Sequence, residues 1–286
     1  MSSKRRVVVT GLGIVSPLGN DLETTWKNIL NGESGAARIT KFDASDFSTT
    51  FAAELKGYDD ISGLTQKETR RIDPFVQYAL TASDQAITDA NLALENLDTK
   101  RIGVSIGSGI GGLGSIEDNS IILKEKGPKK ISPFFVPGAI INMASGNVAI
   151  KYNLQGPNIS IVSACSSAGH SIGYSARTIS YGDADIMITG GSEAGITPLG
   201  LAGFNASKAL STNNENPKKA SCPWDKKRDG FLLGEGSGIL VLEELDFARN
   251  RGAKIYGEVV GFGQSDDAYH ITAPAEDGRG AYNAMI

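Results

Sequence analysis

Cysteine and histidine are scarce in this chain, with two of each among 286 residues. Cys165 and Cys222 stand 57 positions apart, with no CxxC pair and no His/Cys spacing suited to zinc, so neither a disulfide framework nor a zinc site is supported. No apolar run reaches the ~18 residues of a membrane span, and the first six residues lead into a short strand rather than a signal-peptide core. A soluble, cytoplasmic protein is therefore expected. A basic surplus is also missing. Lys+Arg 28 against Asp+Glu 32 leave a formal charge of -4, which argues against general nucleic-acid binding. Low-complexity linkers and short tandem repeats are absent as well.

What the chain has in excess is glycine, 35 residues, several of them at the ends of apolar runs in segments 7–13, 102–109, 186–191 and 234–242. These runs alternate with helical stretches at about 21–31, 76–92, 140–151 and 166–181, which predicts an α/β architecture with a largely parallel buried sheet. Glycine where a strand meets a turn lets backbones approach closely. With 40% hydrophobic and 21% charged residues the composition is ordinary for a globular protein of one large domain or two similar ones.

The most telling stretch runs from Asn158 to Gly173, a β-branched segment that passes directly into a helix of small residues with Cys165 at the junction. Alternating Ile159, Ile161 and Ser163 predict a buried strand, and Ala164, Ser166, Ala168, Gly169 and Ala176 predict a helix that starts abruptly and packs close to the sheet. A free cysteine is more often a core filler than a nucleophile. A thiol at a helix N-terminus, however, meets unpaired N–H groups and a dipole that favour its anion. The same N–H groups can hold an oxyanion on an attacked acyl group. Cys165 is thus the best candidate nucleophile, for acyl transfer through a thioester. Cys222, in an irregular segment without a neighbouring base, reads as inert.

Three other motifs are weaker than they look. Gly107-Ser-Gly-Ile-Gly-Gly112 fits a dinucleotide cradle, but the basic segment 124–130 follows where a second strand ending in an acidic residue is required. Gly169-His-Ser-Ile-Gly173 fits the hydrolase nucleophile elbow, with His270 downstream as a base. Yet the turn itself is held by Cys165, and Ser171 already falls inside the helix. His170 is not placed to act as base for Cys165, because five helical positions turn it by about 140°. It reads as a satisfied or exposed histidine.

Cys165 within Val162-Ser-Ala-Cys-Ser-Ser-Ala168, then Gly190-Gly-Ser-Glu-Ala194, then the run from Pro223 to Gly238, resemble the β-ketoacyl-acyl carrier protein synthases, the condensing enzymes of fatty-acid synthesis. Ser132-Pro-Phe-Phe-Val-Pro137 and the segment from Asp267 to Pro274 are similar to the type II synthase in particular. The resemblance implies a thiolase-like α/β fold of two similar βαβαβ halves in five layers, usually a homodimer. It implies that an acyl chain passes from acyl carrier protein to Cys165, that malonyl-carrier protein is decarboxylated, and that the resulting carbanion attacks the thioester. No cofactor is implied. Ile110 and Phe135 would flank the acyl pocket, Phe135 reaching in from the partner subunit, against the plain alternative of core packing. The carrier is acidic and needs a basic patch. Lys67, Arg70 and Arg71, at i, i+3 and i+4 on one helix face, together with Lys129, Lys130 and Lys208, match positions where the family docks it. Without the resemblance these charges read as a solvated face.

The chain also departs from the family, whose cysteine works with two histidines from the second half. His170 and His270 match neither of them. The expectation is a complete first half over residues 1–252 and an incomplete second half over 253–286, comprising a strand at 255–263 and a helix beginning near Gly280. Such a chain would acylate Cys165 without condensing. The competing expectations are a non-catalytic partner that binds carrier protein or dimerises with an intact enzyme, and a hydrolase using Ser171.

Overall fold

A computed structural model of the chain describes residues 5–58 and 63–286. The strands are β1 (Val7–Val15), β2 (Ala37–Arg38), β3 (Phe51–Ala52), β4 (Ile102–Gly107), β5 (Asn158–Ile159), β6 (Ile186–Ala194), β7 (Glu235–Glu244) and β8 (Gly257–Glu258). The helices are α1 (Leu22–Leu30), α2 (Gln66–Thr69), α3 (Pro74–Asp89), α4 (Leu113–Lys126), α5 (Phe135–Ala139), α6 (Met143–Tyr152), α7 (Ser167–Tyr181), α8 (Pro198–Ala206), α9 (Leu245–Asn250) and α10 (Arg279–Met285). Six strands form one sheet in the order β5-β4-β6-β7-β1-β8, and β2 pairs with β3 apart from it. The sheet is mixed. β5, β4, β6 and β1 run one way, while β7 and β8 oppose them. Among the described residues no helix is long and apolar enough to cross a membrane.

Period-two patterning places a layer of helix on each face of the sheet. Ile186 and Ile188 of β6, with Ile239 and Val241 of β7, point to a core shared with Phe75, Val76, Ala79 and Ala86 of α3 and Val148 of α6. Met187 and Leu242, one residue out of phase, pack on the opposite face against Ala176 and Ile179 of α7. Each fully buried aliphatic side chain of this kind contributes about 1.5–3 kcal/mol. α3 begins where Asp73 accepts the Phe75 N–H with Pro74 in the first turn, a side-chain cap for one orphan donor. α7 ends at Gly182, whose φ of +89° a residue with a Cβ adopts only under strain.

Three ion pairs brace one end of the sheet. Arg251 after α9 grips the fully buried Glu243 carboxylate, Nε to Oε2 at 2.7 Å, and donates to the Ala90 carbonyl at the end of α3. The Thr10 hydroxyl of β1 donates to the same carboxylate. At the same end, level with Glu243 on the neighbouring strand, Asp185 just before β6 receives Arg101 at 3.0 Å through both oxygens and Arg5 at 2.6 Å.

Two predicted strands are much shorter than their sequences suggest. The strand expected over 159–163 pairs only at Asn158 and Ile159, both exposed, and Ile159 keeps 55% of its surface. It is the sheet edge, touched on one side by Val104 and Ser105, and the chain then leaves the sheet toward Cys165. The strand expected over 255–263 pairs with β1 only at Gly257 and Glu258, and Val260 beyond it is 91% exposed. The closing helix does begin near Gly280, as α10.

The guanidiniums beside Asp185 hold its carboxyl below the usual carboxylate range, the Arg101 hydrogen bond being the largest cause. A depressed carboxylate stabilises the fold above its unfolded pKa, about 3.9, and that stability is lost as pH falls through the lower folded value. Asp185→Asn is therefore expected to lower the melting temperature at pH 7, with the gap to the parent protein closing below about pH 4. A gap that stays constant down to pH 3 would count against the ion-pair account.

Candidate active site

Cys165 lies in a short 3-10 turn, Ala164–Ser166, between the sheet edge and α7. The chain enters this turn through Ser163, at φ -146° and ψ 48°, and then Ala164 at φ +49°. The left-handed conformation costs a residue with a Cβ about 1–2 kcal/mol, so something must hold it. Ser167 does part of this. Its hydroxyl donates to the Ala164 carbonyl at 2.7 Å and accepts the Ser163 N–H at 2.9 Å.

Glycines at the ends of β4 and β6 decide where the turn sits. A Cβ at Gly107 would stand 2.6 Å from the Ser167 carbonyl oxygen, and one at Gly191 would stand 2.5 Å from the Ala168 Cβ. The first turn of α7 therefore rests directly on the two strand ends, and Cys165 is carried over them. Its thiol is exposed. It opens into a cavity of about 730 Å³ whose wall includes Ser108, Ile110, Glu193, Phe204, Phe231 and Leu233.

Glu193 is the residue that sequence reasoning passed over. From the end of β6 its Oε2 accepts the Gly109 N–H at 2.6 Å and the Ile110 N–H at 3.2 Å, and its Oε1 accepts the Ser108 hydroxyl at 3.0 Å. The glycine-rich turn that resembled a phosphate cradle is thus filled by a carboxylate of the protein itself. The signal was an acidic residue closing a strand of glycine and serine beside the nucleophile, where burial demands partners.

The remaining candidates divide into groups. Ile110 lines the Cys165 cavity and also an adjoining one of about 480 Å³, where Phe135 at the start of α5 meets it. Phe135 does not line the cavity of Cys165. Lys67 belongs to α2, which has only four residues because a capping box of Thr65 and Glu68 opens it and the chain turns away after Thr69. Arg70 caps its C-terminus, so the expected single helix face is reduced to one turn. Arg70 and Arg71 both line a cleft with Ser132 and Phe134, and the Arg71 guanidinium lies 4.5 Å above the Phe134 ring. Lys129 and Lys130 are exposed in the 3-10 turn that leads toward Ser132, and Lys208 is exposed at φ +55° after α8.

Neither histidine lines the cavity. His170 is half-buried with Nδ1 2.6 Å from the Ser163 hydroxyl, a satisfied histidine as the helical rotation required. His270 is exposed, its Nδ1 accepting the Thr272 and Ala273 N–H groups at 3.1 and 3.0 Å. The hydrolase reading fails here. Ser171 is fully buried inside α7, with no hydrogen-bond partner for its hydroxyl among the described residues, so it can neither be activated nor reached. Cys222 lies apart in the irregular segment, its sulfur 3.6 Å from the Ala220 carbonyl.

A thiol on a strained strand-to-helix turn, raised over an open and largely apolar cavity at the strand ends of a mixed sheet, defines an α/β protein of the acyl-transferring thiol class. The comparisons agree. Residues 4–248 match the family model described as the beta-ketoacyl synthase N-terminal domain, and the chain belongs to that family. It is 56% identical over 283 residues to a 3-oxoacyl-[acyl-carrier-protein] synthase 2 of Vibrio cholerae, covering 99% of this chain and 68% of that protein. A Coxiella burnetii protein of the same name is 55% identical over 282 residues, again 99% of this chain and 68% of the relative. Among solved structures, a beta-ketoacyl synthase from Burkholderia phymatum superimposes with a TM-score of 0.88 at 32% identity, covering 98% of this chain and 70% of that one. A ketosynthase structure described as a type II PKS acyl-carrier protein in complex with its ketosynthase bound to the hexaketide gives 0.86 at 34% identity, over 99% and 71%. These neighbours bear out the thiolase-like α/β fold.

Glu193→Ala leaves the Gly109 and Ile110 N–H groups and the Ser108 hydroxyl without their acceptor. A loss of about 1–3 kcal/mol in urea denaturation is expected. A change below about 0.5 kcal/mol, the level of an ordinary surface substitution, would mean that water replaces the carboxylate.

Proposed function

We propose that this chain carries the acyl-accepting half-reaction of a 3-oxoacyl-acyl carrier protein synthase of fatty-acid elongation, with Cys165 as nucleophile. The exposed thiol on the elbow above the cavity is the observation that carries the reading. The Cys165 thiolate attacks the carbonyl carbon of an acyl-carrier thioester. The oxygen takes the negative charge beside the N-terminal end of α7, whose dipole favours an anion. The tetrahedral adduct then collapses, breaking the bond to the carrier sulfur, and the released thiolate takes up a proton as free carrier thiol. Covalent capture holds the acyl group while a second thioester enters. Condensation then uses the carbanion left when malonyl-carrier protein loses carbon dioxide. That step needs groups to receive the developing charge, and neither His170 nor His270 lines the cavity to do so.

Ile110, shared by the two adjoining cavities, and Phe135 in the second are assigned to the path of the acyl chain. Lys67, Arg70, Arg71, Lys129, Lys130 and Lys208 are assigned to carrier docking, an assignment supported by the exposure of all six. A homodimer in the cytoplasm completes the proposal. The unpaired edge of β5, with Ile140, Ile159 and Val162 exposed nearby, supports such pairing. Residues 1–252 are read as the unit that carries the nucleophile and 253–286 as the opening of a second.

Incubation with hexanoyl-acyl carrier protein is expected to add one hexanoyl group to Cys165 by intact mass, and Cys165→Ala to abolish the addition. An unreactive thiol would favour a non-catalytic carrier-binding partner. Replacing Arg70 and Arg71 by Glu is expected to slow transfer from the carrier by about tenfold, one decade of on-rate, while leaving transfer from a small thioester unchanged. Equal slowing with both donors would remove these residues from docking.

A further inference from the structure

The histidine that helical rotation turns away from the thiol meets the residue two positions before it. His170 Nδ1 lies 2.6 Å from Ser163 Oγ. The imidazole packs edge-on against Phe262, with ring centroids 6.0 Å apart. Phe262 comes from the chain beyond β8 and is itself fixed on α7. Tyr174 meets it edge-on at 5.7 Å, and the Arg177 guanidinium lies 5.0 Å above its centroid. It descends onto Gly173, where a Cβ would stand 2.2 Å from a ring carbon.

Ser163 is where the elbow begins. Its N–H is held by Ser167 and its hydroxyl by His170, so both of its ends are tied to α7 immediately before the left-handed residue Ala164. A strained φ persists only where its surroundings over-determine it. With the hydroxyl freed, Ser163 keeps one tether and Ala164 can relax toward an ordinary φ, which swings the adjacent Cys165.

We propose that the Ser163–His170 hydrogen bond, braced by Phe262, fixes the left-handed turn at Ala164 and so aims the Cys165 thiol at the cavity. Both are positioning residues, because neither lines the cavity and the imidazole is turned to Ser163 rather than to the sulfur. This inference rests on the reading of Cys165 as the acylated nucleophile. It extends that reading by giving His170 work in the reaction without any proton transfer. Misplacement of a reacting atom by about 1 Å slows attack by up to 10²-fold, so an effect on rate is expected where stability barely changes.

The test measures acylation of Cys165 by the hexanoyl thioester of N-acetylcysteamine, read by intact mass, beside the melting temperature of each variant. Ser163→Ala and His170→Leu are expected to acylate about tenfold more slowly or worse. Ser163→Thr, which restores the hydroxyl, and His170→Asn, which restores a polar atom near Nδ1, are expected to recover most of the rate. Ser163→Ala and Ser163→Thr should melt together, so that rate follows the hydrogen bond and not the fold. Should His170→Leu fail to fold, the two Ser163 variants decide alone. Acylation of Ser163→Ala at the parent rate, or of Ser163→Thr as slowly as Ser163→Ala, overturns the inference and leaves the nucleophile standing. A parent protein that is not acylated at all overturns the nucleophile reading and this inference with it.

Discussion

The site depends on a steric allowance, the contact of one helical turn with two strand ends. α7 can settle on β4 and β6 only because positions 107 and 191 carry no side chain. A methyl group at either would push the turn outward by an ångström or more, and Cys165 would leave its place over the cavity. Nucleophile placement is thus set by absent atoms in the sheet before any partner of the sulfur is considered. The surrounding serines then refine what the glycines permit, Ser167 from the backbone side and Ser163 from the helix side.

Electrostatics follow the same economy. Glu193 spends its charge on the turn at 108–110, so the N–H groups most available to a foreign anion at the strand ends are already occupied. The elbow's own Ser166 and Ser167 N–H groups bond the Ser163 and Ala164 carbonyls. A cavity whose anion cradle is filled and whose wall is largely apolar suits a neutral acyl chain better than a phosphate, which is why the dinucleotide reading of segment 107–112 fails on geometry as well as on sequence.

Much of this was legible beforehand. The alternating apolar runs and their terminal glycines fix the strands β1, β4, β6 and β7, and helical periodicity fixes α3, α6 and α7, because burial on both faces leaves a strong pattern. The Cys165 junction was readable for the same reason, since small residues after a β-branched run permit only a tight approach. Segment 159–163 misled because β-branched residues also suit a sheet edge, and nothing local distinguishes an edge from a core. The basic residues at 67, 70 and 71 sit on a shorter helix than their spacing suggests, because spacing cannot say how long a helix lasts, whereas the Thr65/Glu68 cap and the turn after Thr69 do. Glu193 was missed because its partners are backbone N–H groups from a segment over 80 positions away, which no side-chain pattern announces.

The ladder of β1 carries a consequence for synthesis. Val7–Val15 pairs with Glu235–Glu244 on one side and Gly257–Glu258 on the other, so this strand has no partner until more than 200 further residues have been made. At ordinary elongation rates that interval is roughly 10–45 s, during which an apolar nine-residue segment waits beside a growing polypeptide. Contacts of such long sequence separation fold slowly. A strand kept waiting in this way exposes an unpaired apolar edge, the kind of surface that sticks to other chains before its own neighbours arrive.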